Sequence, residues 1–207
     1  MEAICIIAMI TVVTGLPRSG TSLAMQLLEA AGIPPYTDGV RLADASNPQG
    51  YYEAEIVKTL PQDSTWLAQA EGRAVKVIHL LLPHLPDNRE YRVLVMGREL
   101  GAVLRSQRLM LERLGQAGAT LPEARLRGVM QAQLAQMEAW LAARPRLPVL
   151  RLGFEACLAD PLNSAGQLLR WLELAQQLSD QQQLAGVLKQ RSPRGPSGDC
   201  DEVEQQT

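Results

Sequence analysis

The residues best suited to bind an anion lie near the start of the chain, in residues 15–22, which read Gly-Leu-Pro-Arg-Ser-Gly-Thr-Ser. An apolar run over residues 10–14 precedes this segment, and helical spacing of apolar residues follows it from Thr21. Between a strand and a helix, backbone N–H groups and the positive end of the helix dipole converge on one point. Two glycines let such a backbone wrap closely around the oxygens of an anion. The pattern predicts a phosphate-binding loop, against the alternative of a tight turn that binds no ligand.

The charge in this loop is placed differently from that in nucleoside triphosphate-hydrolysing enzymes. Their pattern, G-x-x-x-x-G-K-[ST], has a lysine where this chain has Thr21. Here the positive charge comes from Arg18, and no apolar strand ends in an aspartate suited to holding magnesium. These differences disfavour an ATPase or a kinase, and the sequence predicts no metal site.

The elements that must hold the loop alternate between strand and helix. Apolar runs predict strands over residues 10–14, 74–78, 91–96 and 148–152. Helical spacing predicts helices over 21–31, 52–60, a piece around Trp66, 100–114 and 122–143, and a last packed helix from Asp160 to about Leu174. Such alternation is typical of a parallel sheet with helical crossovers. We expect an α/β three-layer sandwich whose central parallel sheet has about four to five strands.

Length and composition fit a single domain. The 207 residues are 46% hydrophobic and 20% charged, which is typical of a globular protein. We expect one domain over residues 1–191, in which residues 1–8 are an N-terminal extension if Met9 is the true start. Residues 192–207, rich in proline, glycine and acidic residues, are expected to be a disordered tail.

Charge and cysteine usage limit the partners and the compartment. A net charge of −2 argues against nucleic-acid binding, which usually requires a basic surface. The apolar start of the chain is too short to span a bilayer, so no membrane span is expected. Three scattered cysteines form neither a disulfide framework nor a metal-ligand pattern, and they favour a cytoplasmic location. The sequence leaves the oligomeric state open.

Residues 12–22 resemble the phosphosulfate-binding loop of the sulfotransferase family, which reads Pro, Lys or Arg, Ser, Gly, Thr, Ser or Thr. The resemblance implies a P-loop NTPase-like fold and the donor 3′-phosphoadenosine-5′-phosphosulfate (PAPS), with no metal. It implies that Arg18 contacts the 5′-phosphosulfate. The residues that would line the same group are Gly15, Pro17, Ser19, Gly20, Thr21 and Ser22.

A second part of the chain is similar to the same family. Its members carry an Arg just after a strand and a Ser eight positions later, both bound to the 3′-phosphate. Here Arg98 follows the strand predicted over 91–96, and Ser106 lies eight positions after Arg98. On a helix this spacing places the serine about two turns from its start. One departure from the family pattern is that Glu99 and Leu100 follow Arg98, instead of Asn or Asp and then Pro.

Three residues are candidates for the base that takes the proton of the acceptor. His79 follows a strand similar to the one before the catalytic histidine of cytosolic sulfotransferases, although it lies three residues after Lys76, instead of two. The alternative is a partly buried loop histidine bonded to the backbone. Glu53 ends the segment Asn-Pro-Gln-Gly-Tyr-Tyr-Glu, which resembles one common in bacterial members. Asp38 is the third candidate, because tyrosylprotein members carry an acidic base after the first helix.

The resemblance therefore implies transfer of a sulfuryl group from PAPS to a hydroxyl or amine. The acceptor, a small molecule, a glycan or a lipid, cannot be assigned from the residues. Two alternatives stay open. One is a P-loop kinase or nucleotidase with an altered loop, and the other is a sulfotransferase-like module that binds nucleotide without turnover.

Overall fold

A central sheet of four parallel strands organises the chain. The computed structural model describes residues 9–41, 43–44, 47, 50–116, 121–174 and 178–190. The strands are β1 (Ile10–Gly15), β2 (Ala74–Lys76), β3 (Tyr91–Gly97) and β4 (Val149–Gly153), in the order β2-β1-β3-β4. Val12 pairs with Val75 on one side and Val93 on the other. The predicted α/β architecture with a parallel central sheet is confirmed.

Helices cover both faces of this sheet. The α-helices are α1 (Thr21–Ala30), α2 (Leu100–Arg113), α3 (Glu123–Ala142), α4 (Phe154–Ala159), α5 (Pro161–Trp171) and α6 (Leu178–Lys189). Three short 3₁₀ segments, Glu55–Thr59, Thr65–Ala70 and His79–His84, lie between β1 and β3 in the sequence. None of the helices in the described ranges is long and apolar enough to cross a membrane.

The core has two main layers because the inner strands are covered on both faces. Val12, Val93 and Val95 pack with Met137 and Leu141 of α3 on one face. The other face packs against α1, α5 and α6, through Val13, Leu94, Met96, Leu27, Leu168 and Leu184. A strand buried on both faces needs apolar side chains at successive positions, which explains the consecutive apolar residues 12–13 of β1 and 93–96 of β3.

The structure corrects two of the predicted elements. The helix predicted over 52–60 is a 3₁₀ segment that begins only at Glu55, because Tyr52 has φ 55° and Ala54 is extended. The helix that starts at Asp160 is not the last packed one. It ends at Trp171, and α6 follows, with Leu184 and Leu188 buried. Asp160 is the N-cap of this helix, since its carboxylate accepts from the Asn163 N–H at 3.1 Å. The predictions for 1–8 and 192–207 lie outside the described residues.

Candidate functional site

The loop between β1 and α1 has a backbone that requires its two glycines. Gly15 and Gly20 have φ of 148° and 104°. A Cβ atom on Gly15 would lie 2.5 Å from the Met96 carbonyl oxygen, and one on Gly20 would lie 2.7 Å from the Phe154 ring. Arg18 also has a positive φ, 71°, which is unusual for a residue with a side chain. The sequence therefore fixes a strained, tightly packed turn, and such backbones cluster at functional sites.

A cavity of about 510 Å³ opens beside this loop, at the carboxyl ends of the strands. Ligands of open α/β sheets bind at this edge. Arg18, Arg98 and Ser106 all line the cavity. The Arg18 Nε donates to Ser106 Oγ at 3.0 Å, and Arg98 Nη1 donates to the Arg18 carbonyl oxygen at 3.0 Å. The structure thus brings together residues that lie 80 and 88 positions apart in the sequence.

Arg98 is held between an aromatic ring and a carboxylate. Its guanidinium lies 4.3 Å from the centre of the Phe154 ring and 3.6 Å from a carboxylate oxygen of Glu155. Burial lowers the pKa of Arg98 from its ordinary value, and Glu155 opposes this effect. Both contacts restrict the guanidinium fork, so less freedom is lost when it binds an anion.

A network of polar side chains forms the wall on the β2 side. The Lys76 Nζ donates to Ser22 Oγ at 3.0 Å and to the Tyr51 carbonyl oxygen. Asn47, which is buried, donates from Nδ2 to Ser22 Oγ at 3.0 Å. Ser22 therefore connects the glycine loop to the segment around Tyr51, and Lys76 lines the cavity as a cation alongside Arg18 and Arg98.

Glu53 is the candidate base that lines the cavity. Its carboxylate lies 3.0 Å from the guanidinium of Arg41, which also sits 3.5 Å from the centre of the Tyr51 ring. The Tyr51 hydroxyl donates to Asp44, and burial together with this carboxylate raises the pKa of Tyr51. Glu53 thus faces the same space as Arg18, next to an arginine that fixes its position.

Asp38 is turned toward the backbone. Its carboxylate accepts from the N–H groups of Val40 and Glu55, at 2.9 and 2.6 Å, and these bonds lower the pKa of Asp38. It is not among the residues that line the cavity. The structure therefore places Asp38 in a turn and does not bring it to Arg18.

His79 lies behind the loop and is only 4% exposed. Its Nδ1 is 3.2 Å from the Gly15 carbonyl oxygen, and its Nε2 is 3.2 Å from Oε1 of Gln133 on α3. It is not among the residues that line the cavity. The structure thus brings His79 to the first glycine of the loop and to α3.

Two further features concern the loop and its surroundings. The buried hydroxyl of Ser19 has no hydrogen-bond partner within the part of the chain that the structure describes, and Ser19 is not among the residues that line the cavity. Within the same residues, no group of three or more His, Cys, Asp or Glu side chains is arranged to hold a metal ion. The cationic side chains of Arg18, Lys76 and Arg98, which line the cavity, suit an anion.

Comparison with known proteins identifies the fold. No protein-family model matches the sequence, and no curated protein matches it. Among solved structures, sulfotransferase STF9 from Mycobacterium avium is similar at a TM-score of 0.50, with 13% identity over 90% of this chain and 69% of that one. The chain has the sulfotransferase fold.

A second structure with this fold covers nearly as much of the chain. Mouse sulfotransferase SULT7A1 complexed with PAP is similar at a TM-score of 0.47, with 12% identity over 87% of this chain. This chain spans 63% of the length of the mouse protein. The match to STF9 confirms the α/β fold that the alternation of strands and helices predicted, while the activity is a separate question.

The sequence assigned no role to several residues that line the cavity. Arg41, Asn47 and Lys76 line the cavity although no role was predicted for them. Lys76 carried a detectable signal, because it ends an apolar strand that neighbours β1, and such strand ends meet at the site edge. Phe154, the only phenylalanine of the chain, lies against Gly20 and Arg98.

Proposed function

We propose that this protein is a sulfotransferase, which moves a sulfuryl group from PAPS to a hydroxyl or amine acceptor. The observation that carries the proposal is the meeting of Arg18, Arg98 and Ser106 in one cavity, beside a glycine loop that opens a helix. The donor carries phosphate groups on the 3′ and 5′ positions of its ribose, and cations and hydroxyls from two separate parts of the chain would bind them. The loop supplies Arg18, while Arg98 follows β3 and Ser106 lies on α2.

The residues present fit such a donor. Arg18 and the loop backbone would hold the 5′-phosphosulfate, together with Thr21 and Ser22, which line the cavity. Arg98 and Ser106 would hold the 3′-phosphate through charge-assisted and neutral hydrogen bonds. Phe154 offers an aromatic face beside Arg98. The close packing at Gly15 and Gly20 leaves room for backbone N–H groups but for no further side chain.

Sulfuryl transfer is an in-line displacement. The acceptor oxygen or nitrogen forms a bond to sulfur while the bond from sulfur to the bridging phosphate oxygen breaks, and that oxygen takes the negative charge. Arg18 and Lys76 line the cavity as cations, and donors aimed at a developing charge lower the barrier because they bind the transition state better than the ground state.

Glu53 is the base that the geometry favours among the three candidates. Its carboxylate borders the cavity, whereas Asp38 is bonded to backbone N–H groups and His79 is bonded to Gly15 and Gln133. The acceptor proton would pass to the Glu53 carboxylate as the new bond to sulfur forms. Loss of a general base lowers turnover by about 10²- to 10⁴-fold, so Glu53→Gln is expected to fall in this range with labelled PAPS and a panel of phenols, sugars and lipids.

A titration without magnesium tests the donor site. We expect adenosine 3′,5′-bisphosphate to bind in calorimetry without any divalent cation. Binding of ATP that requires magnesium, with no response to the bisphosphate, would identify an altered kinase or nucleotidase and end the proposal. Binding without transfer to any acceptor would favour a nucleotide-binding module.

Arg98→Ala tests the position of the nucleotide. We expect bisphosphate affinity to fall by about 1.5–3 kcal/mol, the contribution of a hydrogen bond to a charged group. Affinity for 5′-AMP, which lacks the 3′-phosphate, should hardly change, and equal losses for both ligands would contradict the role. Arg105→Ala is the matched control, because Arg105 lies on α2 with a 70% exposed side chain and does not line the cavity.

A further inference from the structure

His79 is a buried titratable residue that the proposed chemistry does not use. We propose that His79 is a positioning residue for the donor-binding loop, which it holds through the Gly15 carbonyl group, and that it does not take the acceptor proton. The identity of the anion rests on the proposed function. The hydrogen bonds that carry the inference do not.

The partners of the imidazole ring fix where its proton lies. A carbonyl oxygen only accepts hydrogen bonds, so the 3.2 Å contact with Gly15 requires that Nδ1 carries the hydrogen. The other ring nitrogen, Nε2, lies 3.2 Å from the side-chain amide of Gln133. If Nε2 carries a hydrogen, the amide oxygen accepts it; if Nε2 carries none, the amide is flipped and its NH₂ group donates to Nε2. In both cases Nδ1–H donates to the loop, and α3 holds the ring through Gln133.

A base needs a ring nitrogen with a free lone pair that reaches the acceptor. Nδ1 has no lone pair to offer while it donates to Gly15, and Nε2 is engaged by Gln133. With 4% exposure, His79 would have to leave both partners to meet an acceptor in the cavity. The present contacts therefore suit a role in holding the loop.

Holding the Gly15 carbonyl matters because the loop must present N–H groups to an anion. A carbonyl oxygen directed at phosphate oxygens would repel them, and the flexible backbone of a glycine at φ 148° permits many peptide orientations. His79 lies outside the cavity wall, so its hydrogen bond keeps this oxygen away from the anion. Without that bond, a buried carbonyl would also lose its side-chain partner, which is unfavourable.

Two substitutions separate holding the loop from proton transfer. In His79→Leu the side chain keeps much of its volume but cannot donate. In His79→Asn the amide N–H can take the place of Nδ1–H and donate to Gly15. For adenosine 3′,5′-bisphosphate without magnesium, we expect affinity to fall at least about fivefold in His79→Leu and to recover in His79→Asn. Gln133→Leu should weaken binding less than His79→Leu, and His84→Leu, an exposed histidine of the same 3₁₀ segment, should have no effect.

Wild-type affinity in a folded His79→Leu variant would overturn the inference. If His79→Leu does not fold, Gln133→Leu decides, and wild-type affinity in that variant would overturn the inference as well. Hydrogen exchange of the amides in 15–20 provides a readout that needs no ligand, and it should be faster in Gln133→Leu than in wild type. If the wild type does not bind the bisphosphate, the proposed function fails, while the exchange measurement still tests the role of His79.

Discussion

Substitution of Gly20, the second glycine of the loop, by alanine tests two costs of an added side chain: the positive φ and the clash with neighbouring atoms. In Gly20→Ala, φ of 104° disfavours a residue with a Cβ atom by about 1–2 kcal/mol. The added Cβ would also lie 2.7 Å from the Phe154 ring and 3.3 Å from Met96 Cε. Overpacking of this kind costs about 1–3 kcal/mol. The expected total loss in the free energy of unfolding is therefore about 2–5 kcal/mol.

Gly32→Ala is the matched control at the other end of α1. Gly32 has φ of 87°, and a Cβ atom there would meet nothing within 4 Å. Because only the cost of the positive φ remains, the free energy of unfolding is expected to fall by about 1–2 kcal/mol. Urea unfolding followed by circular dichroism would measure both variants. Because Phe154 also contacts Arg98, Gly20→Ala should weaken bisphosphate binding and Gly32→Ala should not. Equal losses of stability in the two variants would refute the steric argument.

Two other substitutions test the core. Burial raises the pKa of Tyr91 to about 12, and its hydroxyl has no partner among the described residues. The folded state therefore favours the neutral phenol, so stability present below pH 10 should fall as pH rises toward 12. Tyr91→Phe should be at least as stable as the wild type at pH 7, because it removes a buried hydroxyl without a described partner, and its stability should fall less between pH 10 and 12. An unchanged alkaline dependence would contradict the assignment. Leu184→Ala, at 1% exposure on α6, should cost about 2–5 kcal/mol. The exposed Val129→Ala should cost less than about 0.5 kcal/mol, and similar losses in both would show that α6 is not packed.

The sequence predicted those parts of the fold that depend on local patterns. The strands β1 and β3 are buried on both faces, so their apolar runs had no other consistent interpretation. The glycine loop was predictable because only glycine tolerates the backbone and the crowding at Gly15 and Gly20. The helix α6 was missed because its buried residues, Leu184, Ala185 and Leu188, follow a polar run of three glutamines that hides the stripe.

The β2 side of the cavity could not be predicted, because its contacts depend on tertiary structure. Asn47 lies 25 positions after Ser22 in the sequence, and Lys76 lies 54 positions after it. The three residues meet only when β2 pairs with β1. The register places Val13 opposite Lys76, which brings the lysine beside the loop. For His79, the spacing in the sequence allowed two roles, a catalytic base or a loop histidine bonded to the backbone. The structure places it against the Gly15 carbonyl oxygen.

The net charge of the chain did not indicate the charge of the cavity, because electrostatic interactions between exposed groups act only over a short range. The whole chain carries −2, which would not suggest affinity for a polyanion. Yet Arg18, Lys76 and Arg98 line one cavity, with Glu53 paired to Arg41 at its edge. At physiological ionic strength, exposed charges are screened beyond about 8 Å, so the acidic residues elsewhere hardly reduce the local potential. The affinity of such a site for a bisphosphate is therefore decided by which cations the fold brings together.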